Sequence, residues 1–243
     1  MRVPRRRILT SHGDRRGSPA PEASNMTLAS THSQPPPCLS PGTCRAGAAP
    51  IATIGQHSDG ILLLHGFSGS PWDVRPLADA LIAQGYSVAV PLLAGHGTKP
   101  DDLAETTWQD WLADARNALE WLSTQVERVH VAGLSMGALL ALLLARQATP
   151  RPIASVTLLA PAVSLAPHVA FALRAMDQLG RPKMVRRMKW RGGEREASPS
   201  YQSLPVAAVL SVLELQEVVR GVHPSVLVRA LVLHGTADAT VPH

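Results

Sequence analysis

The chain has 243 residues, of which 45% are hydrophobic and 17% charged. This composition fits a folded domain with a sizeable core and excludes a wholly disordered chain. The formal net charge is +5, and residues 1–50 account for the excess because they hold seven arginines and only two acidic residues. The folded part therefore has no excess of basic charge, and we predict no nucleic-acid partner. No apolar run reaches the roughly 18 residues of a membrane-spanning helix, and we expect a cytoplasmic protein.

Residues 1–50 are predicted to form a disordered tail rich in Arg, Pro and Ser. The segment contains three consecutive prolines and has no apolar periodicity. An organelle transit peptide and a translation start at Met26 are alternative interpretations, whereas a secretory signal is excluded because no apolar run follows the arginines. Both cysteines, Cys38 and Cys44, lie here at a spacing that matches no zinc site. Neither a metal nor an organic cofactor is implied.

From about residue 55 the sequence alternates apolar strands with amphipathic helices. A continuous apolar run such as Ile61–Leu64 is typical of a strand buried on both faces of a parallel sheet. The pattern predicts helices over 71–84, 109–124 and 136–147, and strands over 61–64, 86–91, 128–132, 154–160 and 230–234. This alternation indicates an α/β fold with a doubly wound, mostly parallel sheet.

Residues 164–223 interrupt the alternation. They contain helical stretches but no clear buried strand, and they become strongly basic from Arg181 to Arg195. We predict a helical cap inserted over the top of the sheet. The basic stretch is interpreted as a solvated, mobile part of this cap, with weak contact to a lipid surface as the alternative.

The sharpest chemical signal is the sequence Gly133-Leu134-Ser135-Met136-Gly137 between a predicted strand and a predicted helix. Such a turn holds its serine in a strained backbone conformation, and larger side chains at the two glycines would collide with neighbouring backbone. Ser135 then lies at a helix N-terminus, whose free amide groups and dipole favour a developing oxyanion. The spacing therefore predicts a nucleophilic serine.

With this motif, four further stretches resemble the α/β-hydrolase superfamily, and within it the bacterial carboxylesterases and monoacylglycerol lipases (serine aminopeptidase S33-like hydrolases). The stretches are His65–Ser70, Leu92–Thr98, Thr107–Trp111 and Leu233–Pro242. Ala94 stands where the family often has proline. The resemblance covers residues 60–242 and implies the α/β-hydrolase fold with its helical cap.

The resemblance also implies the roles of individual residues. Ser135 would be the nucleophile and Asp238 the triad acid, and the backbone amides of Phe67 and Met136 would form the oxyanion hole. The Phe67 side chain has the alternative interpretation of a plain core residue, since only its backbone matters to this role. General chemistry agrees with the triad, because a serine hydroxyl needs a base and that base needs an acid to fix its tautomer.

The triad histidine is predicted to be absent from this chain. The fold orders its triad as Ser, Asp, His, and the family pattern implies the histidine about 25–30 residues after the acid, whereas five residues follow Asp238. His243 is not expected to be the base, and His65 and His96 are expected to order their glycine-rich loops. We therefore expect the last strand and helix to be missing. Strand 230–234 would then form an exposed sheet edge on a poorly stable, aggregation-prone chain.

These observations predict a serine hydrolase that cleaves short or medium acyl esters, or monoacylglycerols, through an acyl-enzyme on Ser135. Amide or peptide hydrolysis, or acyl transfer, is an alternative because the fold does not decide the reaction. The missing histidine favours another alternative, a catalytically inactive fragment or binding module. The expected partner is a small-molecule ester, and the oligomeric state stays open.

Overall fold

The computed structural model describes residues 34–40, 42–146, 153–164, 167–180, 183–186, 198–221, 228–236 and 238. Their strands are β1 (Ile51–Thr53), β2 (Asp59–Leu64), β3 (Ser87–Val90), β4 (Arg128–Leu134), β5 (Ile153–Leu159), β6 (Met184–Arg186), β7 (Ser203–Pro205) and β8 (Arg229–Leu233). Six of them form a sheet of order β1-β3-β2-β4-β5-β8. Strand β1 is antiparallel to β3 and the other pairs are parallel. The predicted α/β fold with a mostly parallel sheet is confirmed.

Helices cover both faces of this sheet. They are α1 (Arg75–Ala83), α2 (Pro100–Ala104), α3 (Trp108–Gln125), α4 (Met136–Arg146), α5 (Pro167–Gln178) and α6 (Val206–Gly221), with 3₁₀ turns at Pro37–Leu39 and Pro71–Val74. Alternate side chains of β2 point to opposite faces. Leu62 and Leu64 belong to the core that includes α3 and α4, whereas Ile61 and Leu63 belong to the core beside α1. Burial on both faces explains why β2 is continuously apolar.

Most predicted elements between residues 61 and 160, and the strand near residue 230, agree with the structure to within a few residues. Four short elements were not predicted: β1, α2, β6 and β7. They have three, five, three and three residues, so none is long enough to show a hydrophobic period. Helix α2 does carry a local signal, because Pro100 at its start is followed by two acidic residues.

The segment before β1 packs against α3 and the loop that follows β3, so the prediction of a disordered tail is wrong for the described residues from 34 onward. Cys38 is 7% and Leu39 is 2% exposed, and both belong to the main hydrophobic core. The Leu92 N–H donates to the Cys38 carbonyl oxygen at 2.9 Å. Burial raises the pKa of the Cys38 thiol to about 12. Residues 1–33 lie outside the described residues.

The described part of the predicted cap, residues 164–223, contains α5, the antiparallel pair β6–β7 and α6. Helix α6 is held against the sheet domain by buried polar contacts. The Trp108 N–H at the start of α3 donates to Ser211 Oγ at 2.7 Å, and Gln216 Nε2 donates to the Ala162 carbonyl oxygen at 2.8 Å. Most of the basic stretch lies outside the described residues.

Strand β8 forms one edge of the sheet in the part of the chain that the structure describes. It pairs in parallel with β5 on its inner side. Leu231, Val232 and Leu233 are 52%, 56% and 50% exposed, so an apolar strand edge is open to solvent. None of the described helices is long and apolar enough to cross a membrane.

Candidate active site

Ser135 occupies the sharp turn between β4 and α4. Its φ is 55°, in the left-handed region that residues with a side chain rarely adopt. A Cβ built on Gly133 would overlap the backbone of Gly137, and a Cβ built on Gly137 would overlap the Leu64 carbonyl group. The turn therefore requires both glycines, and it brings the start of α4 against the end of β2.

Residues with strained backbone conformations lie at and near this turn. In the described part of the chain, the non-glycine residues with positive φ are Ser68 (59°), Ser135 and Ala160 (43°). They follow the carboxyl ends of the neighbouring strands β2, β4 and β5. The Ser135 N–H donates to the Leu159 carbonyl oxygen at 2.8 Å, and the Ser135 carbonyl oxygen accepts from the Ala162 N–H at 3.3 Å. Such strain persists only where the surroundings enforce it, and it concentrates at functional sites.

The two candidate oxyanion amides belong to segments that meet beside Ser135. Met136 is the first residue of α4, where an N–H has no acceptor within the helix. Phe67 lies in a turn closed by the Gly69 N–H and the Gly66 carbonyl oxygen at 3.1 Å, and its own N–H donates no hydrogen bond within the described residues. A Cβ built on Gly66 would lie 3.4 Å from Ser135 Cβ, so this loop approaches the serine closely.

The Phe67 side chain packs into the core while its amide remains in the loop. The ring is partly buried, with its centroid 6.1 Å from that of His96 and 5.8 Å from that of Trp111. A core position for the side chain is therefore compatible with a role for the backbone amide.

His65 and His96 are both buried in the loops beside the serine, as expected. His65 Nδ1 donates to the Gly66 carbonyl oxygen at 2.9 Å, and its Nε2 accepts from the Leu93 N–H at 3.2 Å. His96 Nδ1 lies 3.0 Å from the Ala94 carbonyl oxygen. Burial lowers the pKa of His65 to about 4 and that of His96 to about 3. Both rings are therefore neutral near pH 7, which suits a structural role rather than a proton-transfer role.

The candidate acid, Asp238, follows β8 and lies beside another histidine. Asp238 Oδ2 is 3.7 Å from His234 Nε2, and the two side chains are 15% and 16% exposed. The Asp238 N–H donates to the Gly235 carbonyl oxygen at 3.1 Å. No hydrogen bond joins the Ser135 hydroxyl to a histidine among the described residues, and His243 lies outside them. The described residues thus bring together the nucleophile and oxyanion segments but not a base.

Tyr201 lies in none of the sequence motifs and is 1% exposed. Its N–H donates to the Ser68 carbonyl oxygen at 3.1 Å, and its hydroxyl donates to the Gly95 carbonyl oxygen at 2.8 Å. Both partners lie more than 100 residues away along the chain. Since no local pattern links such distant residues, no signal in a single sequence would have revealed these contacts.

Comparison with known proteins gives the following relatives. The thermostable monoacylglycerol lipase of Bacillus sp. (strain H-257) is 46% identical over 86 residues, which are 35% of this chain and 34% of the lipase. The carboxylesterase of Bacillus subtilis (strain 168) is 38% identical over 83 residues, which are 34% of each chain. The aligned region thus spans about a third of the length of these curated relatives.

A solved structure and a family model extend the similarity over most of the chain. The structure comes from work on two metagenome-derived lipolytic enzymes, LipS and LipT. It is 31% identical with a TM-score of 0.76, and the match covers 82% of this chain and 80% of that one. The model of the alpha/beta hydrolase family matches residues 61–243. The predicted resemblance is therefore confirmed, and the chain belongs to the alpha/beta hydrolase family.

Proposed function

We propose that the protein is a serine hydrolase that cleaves carboxylic esters, with Ser135 as the nucleophile. The observation that carries the proposal is the left-handed conformation of Ser135, at a φ of 55°, in the turn between β4 and the start of α4. The turn requires glycine at two flanking positions and places the serine next to amide groups that have no hydrogen-bond acceptor within the described residues. A purely structural serine has no need of either feature.

In the proposed reaction, Ser135 Oγ attacks the ester carbonyl carbon while a histidine base takes the hydroxyl proton. The N–H groups of Phe67 and Met136 donate to the developing oxyanion. Collapse of the tetrahedral intermediate breaks the bond to the alcohol oxygen, and the base returns the proton to the leaving alcohol. Water then attacks the acyl-enzyme in the same way and releases the carboxylic acid. Asp238 would orient the base.

The substrate class rests on the relatives. A monoacylglycerol lipase and a carboxylesterase are similar to about a third of the chain, and lipolytic enzymes are similar to most of it. These similarities support carboxylic esters, including monoacylglycerols, as substrates. The short or medium length of the acyl chain stays a prediction. The location in the cytoplasm and a weak contact with lipid surfaces stay predictions.

The test is hydrolysis of p-nitrophenyl esters of increasing acyl length, and of a monoacylglycerol, by the purified 243-residue chain. Ser135→Ala is compared with Ser123→Ala, a matched control on α3 whose hydroxyl donates to the Leu119 carbonyl oxygen at 2.7 Å. Hydrolysis that Ser135→Ala reduces to background and Ser123→Ala leaves unchanged would support the proposal, and it would require a base among the residues of this chain that lie outside the described ones. Equal activity in wild type and Ser135→Ala would contradict the assignment of the nucleophile.

One observation favours a second candidate function, a non-catalytic binding module: no described histidine forms a hydrogen bond with the Ser135 hydroxyl. Background rates for the wild-type chain on every ester would favour this module and contradict catalysis by these 243 residues. Hydrolysis of an amide, or acyl transfer to an added alcohol, faster than ester hydrolysis would instead favour another reaction on the same fold.

A further inference from the structure

We propose that Tyr201 is a positioning residue for residues 65–70, the oxyanion loop that contains Phe67, an inference that rests on the proposed function. Tyr201 lies in the predicted cap, two residues before β7, and its backbone N–H donates to the Ser68 carbonyl oxygen at 3.1 Å. Ser68 directly follows Phe67, is 2% exposed and has a φ of 59°. This hydrogen bond therefore holds a strained residue in place next to the proposed oxyanion donor.

The Tyr201 side chain anchors that backbone to a second loop. Its hydroxyl donates to the Gly95 carbonyl oxygen at 2.8 Å, accepts from the Thr98 N–H at 2.8 Å, and lies 3.3 Å from Thr98 Oγ1. A hydroxyl has one proton and two acceptor sites, so Thr98 Oγ1 is the donor in the third contact. All three sites of the phenol oxygen are thus occupied by the loop that follows β3.

Arg45 holds the same ring from the segment before β1. Its guanidinium carbon lies 4.8 Å from the centroid of the Tyr201 ring, within the range of cation–π attraction. Arg45 Nε donates to the Thr98 carbonyl oxygen at 2.7 Å, and Nη1 donates to the Pro199 carbonyl oxygen at 3.2 Å. Two segments that are distant in sequence, around Arg45 and over residues 95–98, therefore fix one tyrosine, which in turn fixes the oxyanion loop.

The consequence for the reaction follows from where negative charge develops. The oxyanion forms only as the serine attacks, so an amide held at the right place stabilises the transition state more than the bound ester. Loss of the phenol oxygen would leave the Gly95 carbonyl and the Thr98 N–H without this partner and would loosen Tyr201 against Ser68. We expect kcat to fall while KM stays nearly constant.

The experiment compares Tyr201→Phe with Tyr86→Phe, which changes the other tyrosine of the chain. Tyr86 directly precedes β3 and stacks on His57, with the centroids of the two rings 4.6 Å apart. It therefore lies at the N-terminal end of β3, whereas the oxyanion loop follows the carboxyl end of the neighbouring parallel strand β2. For a p-nitrophenyl ester, we expect Tyr201→Phe to lower kcat by about tenfold with KM within about twofold, and Tyr86→Phe to change neither. Rates are normalised to the folded fraction measured by circular dichroism.

Hydrogen–deuterium exchange of the peptide that covers residues 65–70 provides a readout independent of turnover. Faster exchange of this peptide in Tyr201→Phe, but not in Tyr86→Phe, is the expected result. Unchanged exchange overturns the inference whether or not the chain hydrolyses esters. If hydrolysis does not depend on Ser135, the proposed function fails while exchange still decides the role of Tyr201. The inference is also overturned if Tyr201→Phe leaves kcat unchanged, or if a rise in KM accounts for its whole loss of kcat/KM. An equal loss of kcat in Tyr201→Phe and Tyr86→Phe overturns it as well.

Discussion

His65 and His96 lie side by side beneath the loops around Ser135, with ring centroids 5.0 Å apart and exposures of 0% and 1%. His65 uses both ring nitrogens on backbone partners. His96 uses Nδ1, and its Nε2 has no hydrogen-bond partner among the described residues. A proton added to either ring would place a charge in the core, and the charge on one ring would repel that on the other. Burial is therefore the main cause of both lowered pKa values.

These two residues predict a loss of stability in mild acid. Their pKa values, about 4 and about 3, lie below the ordinary value of 6.5, so below pH 6.5 the unfolded chain binds more protons than the folded chain. The stability that these two neutral histidines contribute is fully present above pH 6.5 and is lost as the pH falls toward 4 and then 3. Between pH 7 and pH 4.5 each histidine should cost about 2 kcal/mol of unfolding free energy.

The measurement is urea unfolding at the two pH values for His96→Asn and, as a control, His57→Asn. Asparagine retains an N–H donor for the Ala94 carbonyl oxygen but does not titrate, so His96→Asn should reduce the pH dependence by about 2 kcal/mol. His57 is exposed, so His57→Asn controls for the loss of a histidine that is not buried. The same pH dependence in all three proteins would contradict burial of a neutral His96.

At the scale of the elements, α6 is the helix of the predicted cap that packs on α3 and α4. Ala208, Val212 and Leu215 of α6 belong to the same core as α3 and α4. The N–H of Trp108 at the start of α3 donates to Ser211 Oγ on α6. The first N–H groups of a helix have no acceptor in their own helix. The Ser211 hydroxyl supplies one, so α6 contributes to the start of α3 as well as to the core.

Removal of this acceptor should destabilise the protein. We expect Ser211→Ala to lower the free energy of unfolding by about 1–2 kcal/mol, because the partly buried Trp108 N–H loses its partner. Ser123→Ala is the control, since its hydroxyl is only an additional donor to the Leu119 carbonyl oxygen, and it should stay within about 0.5 kcal/mol of wild type. Urea unfolding at pH 7 measures both. Equal stabilities would show that the Trp108 N–H finds another acceptor.

For the molecule as a whole, the two edges of the described sheet differ. At one edge, β1 is a three-residue antiparallel strand, and Ile54 just after it is 44% exposed. At the other edge, the five residues of β8 are all exposed, and three consecutive ones are large aliphatics. An apolar edge strand with unpaired backbone groups is a template for pairing with another chain.

We therefore expect the 243-residue chain to associate as its concentration rises, with β8 as the contact. Val232→Lys places a charge at the centre of this edge and should lower the associated fraction in sedimentation velocity. Ile54→Lys adds the same charge to an exposed aliphatic at the opposite edge and should leave association unchanged. If Val232→Lys associates as wild type does, β8 is not the contact.

The sequence alone determined the central strands, the main helices and the turn at Ser135, for a local reason. Continuous apolar runs such as Ile61–Leu64 and the two glycines around Ser135 can each be recognised within a few consecutive residues. Buried parallel strands, helix periods and a strand-to-helix turn are all decided by neighbours along the chain. The same local signals carried the resemblance that the family comparison confirmed.

Only the tertiary structure decided which distant residues support that turn. The burial of Cys38 in a segment whose composition predicts disorder, the docking of Ser211 on α3, and the contacts of Tyr201 with Ser68 and Arg45 all join residues far apart in sequence. Such contacts leave no periodicity, because they depend on how the folded elements pack and not on local conformational preference. The physical support of the candidate site is therefore a property of the assembled fold.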